Sequence, residues 1–120
     1  MTTQKNQGLV WQEVFLPEYA PQEWKDREQL WNAVEEVETA KDSRLAREFV
    51  VALPIELSRE EQIELLQEFI REQFVSDGMC ADAAIHDTDG HNPHAHILLT
   101  VRPLDEQGKW QYKTEKNTSA

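Results

Sequence analysis

Apolar residues recur along the 120-residue chain with two spacings, one alternating with polar residues and one following the turns of a helix. Alternation predicts β-strands that are buried on one side, and the helical spacing predicts helices with one buried face. Taken in chain order, the pattern predicts strand, helix, strand, helix, strand and strand. The predicted strands are Leu9–Leu16, Leu45–Leu53, residues 79–86 and residues 94–103.

Local signals mark both predicted helices. Pro21 opens the first helix, at a position where its missing N–H costs nothing. Ser58 and Glu61 form a Ser-x-x-Glu capping box at the start of the second helix, and Gly78 is placed to cap its far end. The apolar faces of the two helices comprise Trp24, Leu30, Trp31, Val34 and Val37 in the first, and Ile63, Leu66, Phe69, Ile70 and Phe74 in the second.

Turn-forming residues 87–93 separate the last two strands, which are therefore expected to pair as an antiparallel hairpin. Helices interleaved with antiparallel strands predict an α+β fold. We expect a two-layer sandwich, in which an antiparallel sheet carries both helices on one face, in the order β-α-β-α-β-β. The polar ends, residues 1–8 and 111–120, are expected to fray, which leaves one domain over residues 9–110.

Strand alternation places three histidines on one side of the predicted sheet. In the last strand the odd positions 95–101 are apolar and should face the helices, so His94 and His96 share the opposite face. The same parity puts His86 of the preceding strand and Glu48 of the second strand on that face. Cross-strand neighbours lie about 5 Å apart, so His86 is expected close to His94 or His96.

Three imidazoles that leave coordination positions open are typical of a catalytic metal site. His86, His94 and His96 are therefore the predicted ligands of a divalent metal ion, with Mn, Mg or Zn as candidates that the sequence does not separate. The alternative is that all three are solvated surface side chains. For Glu48 a plain surface carboxylate is equally open, and His91, beside Asp89 and Gly90, is interpreted as a turn residue.

Composition argues against one class of partner. A net charge of −11 is unusual for a protein that holds phosphate backbones, because such proteins present a basic surface. It favours an acidic module that binds metal or another protein. No apolar run reaches the ~20 residues of a membrane span, and the N-terminus has no signal-peptide pattern. With the single cysteine, Cys80, expected as a small strand residue, these features predict a cytoplasmic protein.

The stretch Ala84–His86, followed by His91–Ile97 (His-Asn-Pro-His-Ala-His-Ile), resembles the third motif of MobA/MobL relaxases, within the wider group of HUH endonucleases. In that group two histidines flank one hydrophobic residue, here Ala95, and a third histidine comes from the neighbouring strand. The similarity covers about residues 10–104 and extends to the N-terminal relaxase domain of TraA-like conjugative proteins. Upstream segments that look like the same family are Leu30–Glu35, Leu45–Glu48, Ala52–Pro54 and Leu57–Gln62.

This resemblance implies a DNA relaxase, an enzyme of conjugation and plasmid mobilisation that nicks one strand at an origin of transfer (oriT). It implies a palm-type, ferredoxin-like core, a metal held by His86, His94 and His96, and a carboxylate near the metal at Glu48. A tyrosine would attack the phosphorus, which forms a 5′-phosphotyrosyl link and releases a 3′-hydroxyl. Single-stranded DNA and other relaxosome proteins are the implied partners.

Two departures from the family's pattern affect the expected activity. The family's nucleophile is a tyrosine on an element upstream of all these segments, whereas the chain has only Tyr19 and Tyr112, and neither matches the motif. Some relatives also carry a second carboxylate two residues after the position of Glu48, where this chain has Val50. We therefore expect a fragment of a longer relaxase that does not nick DNA alone.

Two other enzyme classes fit less well. The His-Ala-His-Ile-Leu run faintly resembles the three-histidine motif of nucleotide hydrolases, but Leu98 stands where the third histidine is needed. Zinc deaminases require a Cys-x-x-Cys pair, which Cys80 alone does not supply. A non-catalytic acidic module derived from a relaxase remains the main alternative.

Overall fold

Each predicted run of alternating residues forms a strand, and the four strands build one antiparallel sheet. A computed structural model describes residues 8–39, 46–88 and 92–111. In chain order the strands are β1 (Leu9–Phe15), β2 (Ala46–Ala52), β3 (Ala81–His86) and β4 (His94–Thr100). Every strand lies within its predicted range, and both the α+β class and the order of elements along the chain are confirmed.

Two α-helices alternate with the first three strands, α1 (Arg27–Val37) and α2 (Arg59–Gln73). α1 begins later than predicted, because Pro21 precedes a short 3-10 turn and Asp26 caps the helix by accepting the Glu28 N–H at 3.0 Å. The predicted capping box of α2 is confirmed, with Ser58 and Glu61 each accepting the other's backbone N–H. Beyond α2, Gly78 ends a 3-10 turn with a φ of 90°, a conformation that favours glycine.

The sheet order is β1-β3-β4-β2, with every neighbouring pair antiparallel. The hairpin predicted for β3 and β4 is confirmed and occupies the centre of the sheet. Its register sets His86 opposite His94 and Ala84 opposite His96. The motif that resembles the relaxase histidines therefore lies on the two central strands.

The helices lie on opposite faces of the sheet, so the prediction of a two-layer sandwich with both helices on one face was wrong. α2 packs through Leu66 and Ile70 against the odd-numbered side chains of β3 and β4, such as Ile85 and Ile97. α1 instead packs through Leu30 and the adjacent turn of the helix against Val14 and Cys80, which point the other way. Strand parity fixes this arrangement, because β1 carries an apolar residue on each side at its end, Val14 and Phe15.

Strand β2 is less buried than the sequence pattern predicts. Phe49, Val51 and Leu53 have the parity of the α2 face, as expected, but only Leu53 is fully buried. β2 is an edge strand, so α2 covers it from one side only and leaves Phe49 and Val51 partly exposed. A cleft of about 200 Å³ lies there, between β2 and the side chains of Leu65 and Phe69 on α2.

Two simpler expectations concern membrane spans and the cysteine. None of the helices within the described ranges has the length and apolar character needed to cross a membrane.

Cys80 directly precedes β3, is fully buried beneath α1, and its backbone N–H donates to Thr100 Oγ1 at 3.2 Å. Burial raises the pKa of its thiol to about 12, so the side chain acts as a small neutral core residue.

Candidate metal centre on the open half of the sheet

The sheet face opposite α2, here called the histidine face, carries the even-numbered side chains of β3 and β4. α1 crosses this face at the end marked by Cys80 and Asp82, which forms its covered half. The other end carries His86, His94 and His96, and all three are only partly buried. We call this end the open half. The predicted placement of all three histidines on one face is what the register gives.

Two of the histidine rings lie together. His86 and His96 are diagonal neighbours on the hairpin, and their ring centroids are 4.9 Å apart at an interplanar angle of 71°. His94 is the direct cross-strand partner of His86, so the Cβ atoms of these two residues are expected about 5 Å apart. The three histidines are therefore cross-strand or diagonal neighbours at one end of the central hairpin.

Two of the rings have their Nδ1 atoms directed at acceptors. His94 Nδ1 lies 2.9 Å from the backbone oxygen of Asn92, and His96 Nδ1 lies 3.5 Å from Glu48 Oε2. A carbonyl or carboxylate oxygen only accepts, so these contacts favour, in each neutral ring, the tautomer with the proton on Nδ1 and the lone pair on Nε2. Metal-binding histidines are usually held in this way, by an oxygen acceptor on the ring nitrogen that does not bind the metal.

Glu48 reaches His96 from the edge strand, as its predicted parity requires. Its side chain is 57% exposed and that of His96 is 40% exposed, so the contact contributes little to stability. Val50, directly opposite His96, adds an apolar side chain to the same face. The carboxylate side of the open half therefore rests on Glu48 among the described residues of β2.

The donor chemistry of the open half fits a divalent cation, but its geometry is not that of a closed site. Within residues 8–39, 46–88 and 92–111, no three His, Cys, Asp or Glu side chains are arranged so that they could hold a metal ion. Two rings are in contact, while the His94 ring is directed at Asn92. The set of three histidine ligands therefore remains a prediction.

The covered half of the same face carries a polar cluster that the sequence pattern did not reveal. Asp82 is 5% exposed and accepts hydrogen bonds from Arg27 Nε at 3.1 Å, from Arg27 Nη2 and from Trp31 Nε1 at 2.9 Å. Both donors belong to α1, so this buried carboxylate fixes the helix over one end of the face. The signal available in the sequence was an acidic residue at a strand position with core-like neighbours, Cys80–Ala84.

The tyrosines do not join the open half within the part of the chain that the structure describes. Tyr19 packs in the cluster of Val14 and Cys80 at the covered end. Cys80 and His86 are six residues apart along the strand, which corresponds to about 20 Å. Tyr112 and His91 lie outside the described residues.

Three arginines of the described ranges are engaged in ion pairs. Arg27 and Arg59 pair with the buried carboxylates of Asp82 and Asp87, and Arg102 pairs with Glu38 at 2.7 Å. No strand residue with the parity of the histidine face is a lysine or arginine, within the strands described. The face therefore offers imidazole nitrogens and apolar surface, without fixed positive charge from the sheet itself.

The chain is similar in sequence to proteins of conjugation and mobilisation. The conjugal transfer protein TraA of Agrobacterium fabrum (strain C58 / ATCC 33970) is 41% identical over 115 residues, which is 87% of this chain and 10% of that protein. The probable mobilization protein MobA of Bifidobacterium longum (strain NCC 2705) is 46% identical over 97 residues, 79% of this chain and 17% of that protein. The chain thus spans a small part of these relatives.

A solved structure described as "Molecular Basis of Vancomycin Resistance Transfer in Staphylococcus aureus" superposes with a TM-score of 0.82 at 40% identity. It covers 94% of this chain, and the chain covers 58% of it. The sequence profile of the MobA/MobL family matches residues 2–120, almost the entire chain. With the histidine pattern on the central hairpin and this match, the chain belongs to the MobA/MobL family.

Proposed function

We propose that this chain forms the cation-binding, DNA-holding sheet of a relaxase in plasmid mobilisation. The activity would be metal-dependent nicking of one DNA strand, by transesterification at an origin of transfer. The observation that carries this proposal is the placement of His86, His94 and His96 on the exposed half of one sheet face, with two rings 4.9 Å apart. The names of the relatives, a conjugal transfer protein and a mobilization protein, support the biological role.

His86, His94 and His96 would hold the cation through ring nitrogens, and Glu48 would orient His96 through its Nδ1. A bound divalent cation supplies charge stabilisation to the oxygens of the scissile phosphate. The Asn92 carbonyl and the Glu48 carboxylate would orient the rings and favour the neutral tautomer that keeps Nε2 available. The histidines would thus act as a positioning platform for the phosphate.

The charged residues of the histidine face bear on how it could bind DNA. The histidine face has no lysine or arginine among its described strand residues, and Arg27 of α1 pairs with the buried carboxylate of Asp82. Attraction for phosphate at this face would therefore depend mainly on the bound cation. We expect single-stranded DNA to bind far more tightly with the cation than without it.

The attacking tyrosine would come from outside this sequence. Tyr19 packs at the covered end of the sheet, about 20 Å along the strands from the histidines. The chain alone is therefore expected to bind an oriT oligonucleotide without cleaving it. Recovery of a covalent adduct between this chain and the 5′-phosphate of the oligonucleotide would contradict this part of the proposal.

The cation site is tested by thermal unfolding in the presence of Mn²⁺. A ligand that binds only the folded state stabilises it by RT ln(1 + [L]/Kd), about 2.7 kcal/mol at a hundred times Kd. We expect a rise in Tm for the wild-type chain, and no rise for His94→Ala. His91→Ala is the matched control, since it removes the fourth histidine and should retain the rise. Absence of a rise in the wild-type chain would remove the basis for a cation site.

DNA binding is tested by fluorescence anisotropy with a labelled single strand, at low and moderate salt, with and without Mn²⁺. Cation-dependent binding that His94→Ala abolishes would support the relaxase role. The second candidate is an acidic metal-binding or protein-interaction module, which the net charge of −11 favours. Metal binding without any DNA binding, at either salt concentration, would favour this module over the relaxase.

A further inference from the structure

A chain of polar contacts runs from the start of α2 to the predicted ligand His94. Arg59 Nη2 donates to Asp87 Oδ2 at 2.7 Å, and Asp87 Oδ1 accepts the backbone N–H of Asn92 at 3.2 Å. The carbonyl oxygen of Asn92 then accepts from His94 Nδ1 at 2.9 Å. Each contact joins consecutive members, so the position of Asn92 depends on Asp87, and Asp87 on Arg59.

Strand parity explains why this contact chain crosses the sheet. Asp87 directly follows His86 and has the opposite parity, so its side chain turns toward α2 and becomes 3% exposed. A buried carboxylate requires compensation by a cation or hydrogen bonds, and Arg59, the first residue of α2, supplies the cation. The same carboxylate also holds the backbone of Asn92, which leads into β4.

We infer that Arg59 is a positioning residue for His94, acting through Asp87 and the Asn92 carbonyl. This inference rests on the proposed function, since it concerns how a predicted cation ligand is presented. Because a carbonyl oxygen only accepts, this contact favours the neutral tautomer of His94 with the proton on Nδ1, which leaves Nε2 for the cation. Without Arg59, Asp87 is a buried carboxylate without its counter-ion, and its hold on Asn92 weakens. The His94 ring then loses the contact that fixes its tautomer.

A cation-free measurement tests this relay directly. Long-range ¹H–¹⁵N NMR distinguishes the two neutral tautomers of histidine, and the His94 signals are assigned by comparison with His94→Gln. At about pH 8, where an ordinary histidine is neutral, wild-type His94 is expected in the Nδ1–H form. Arg59→Ala should convert it to a mixture of tautomers, and Arg59→Lys should restore much of the wild-type signal.

Cation affinity provides the second readout, by isothermal titration with Zn²⁺ as the probe. Substitutions in groups that orient a ligand histidine commonly weaken metal binding by about 10–100-fold, and Arg59 lies two contacts further away. We therefore expect Arg59→Ala to raise the Kd by roughly fivefold. The matched control is Arg71→Ala on the same helix, whose arginine approaches Glu13 at 3.9 Å and takes no part in the relay. It should leave both readouts unchanged.

The outcomes separate this inference from the proposed function. If wild-type protein does not bind Zn²⁺ or Mn²⁺, the proposed function fails, whereas the tautomer of His94 still decides whether the relay exists. If Arg59→Ala keeps the wild-type tautomer and affinity, the relay is refuted. Should Arg59→Ala fail to fold, Arg59→Gln takes its place, since its amide can still donate one hydrogen bond to Asp87; the same shifts are expected at smaller size.

Discussion

The covered and open halves of the histidine face belong to the same two strands but differ in what lies over them. At the covered end α1 buries Cys80 and surrounds Asp82 with three donated hydrogen bonds. At the open end, the side chains of His96 and Glu48 are 40% and 57% exposed. Polar groups in the first half are matched to protein partners, and those in the second half retain exposed surface toward solvent.

One sheet face thus carries both a buried polar cluster that holds α1 and a partly exposed candidate metal centre. The helix that is secured by Asp82 ends its coverage before the histidines, so the strands are held firmly while their far ends remain accessible. A rigid sheet keeps the spacing between His86 and His96, because both lie on hydrogen-bonded central strands. Substitutions in the covered half should therefore lower the free energy of unfolding, and those in the open half should weaken cation binding with little effect on stability.

The largest expected contrast is between Asp82→Ala and His96→Ala in metal-free buffer. Asp82→Ala leaves Arg27 and Trp31 without their buried partner and should lower the free energy of unfolding by about 3 kcal/mol. His96→Ala removes a half-exposed side chain and should change it by no more than about 0.5 kcal/mol. Urea unfolding followed by circular dichroism measures both. Equal losses would mean that the two halves do not differ in the way described.

The buried thiol of Cys80, in the covered half, makes the stability of the protein depend on pH. Burial holds its thiol pKa at about 12, above the ordinary value of 9.0, so the folded state disfavours the thiolate. Stability from this group is fully present below the unfolded pKa and is lost as pH rises from about 9 toward 12. Compared with Cys80→Ala, the wild-type chain should lose more stability across this window. A wild-type thiol that reacts in the native state as fast as in urea would contradict its burial.

A substitution at Trp31 can test its hydrogen bond to Asp82 separately from the packing of its ring. Trp31→Phe keeps an aromatic ring but removes the N–H that donates to Asp82 at 2.9 Å. A hydrogen bond to a charged acceptor contributes about 1.5–3 kcal/mol, and part of this should be lost. A double-mutant cycle with Asp82→Asn measures the coupling by urea unfolding, and additive losses would show that the two side chains act independently.

The smallest effect is expected at Glu48, in the open half. Glu48→Gln keeps an oxygen acceptor for His96 but removes the charge, and the contact at 3.5 Å is exposed to water. We expect Mn²⁺ affinity to fall by only about threefold, below the usual loss for orienting groups, with no change in Tm of the metal-free protein. Loss of all binding, measured by titration calorimetry, would show instead that Glu48 itself is a ligand.

Several sequence predictions were confirmed because they depend on neighbouring residues in the chain. The capping box at Ser58 and Glu61 involves residues within one helical turn, and the turn formers at 87–93 specify the β3–β4 hairpin directly. Where a prediction required knowledge of distant segments, it was less successful. The exposure of Phe49 and Val51 follows from the position of β2 at the edge of the sheet, and local alternation contains no information about edges.

The alternation of residues in β3 and β4 determined by itself that His86, His94 and His96 share one face, because side chains along a strand point to alternate sides. Only the tertiary structure decided that the two helices lie on opposite faces, since β1 is apolar on both sides near Val14 and Phe15. It also decided that Arg27 and Trp31 meet Asp82, more than fifty positions away in the chain. These contacts form when the chain packs, and their partners carry no mark in the local sequence that identifies them.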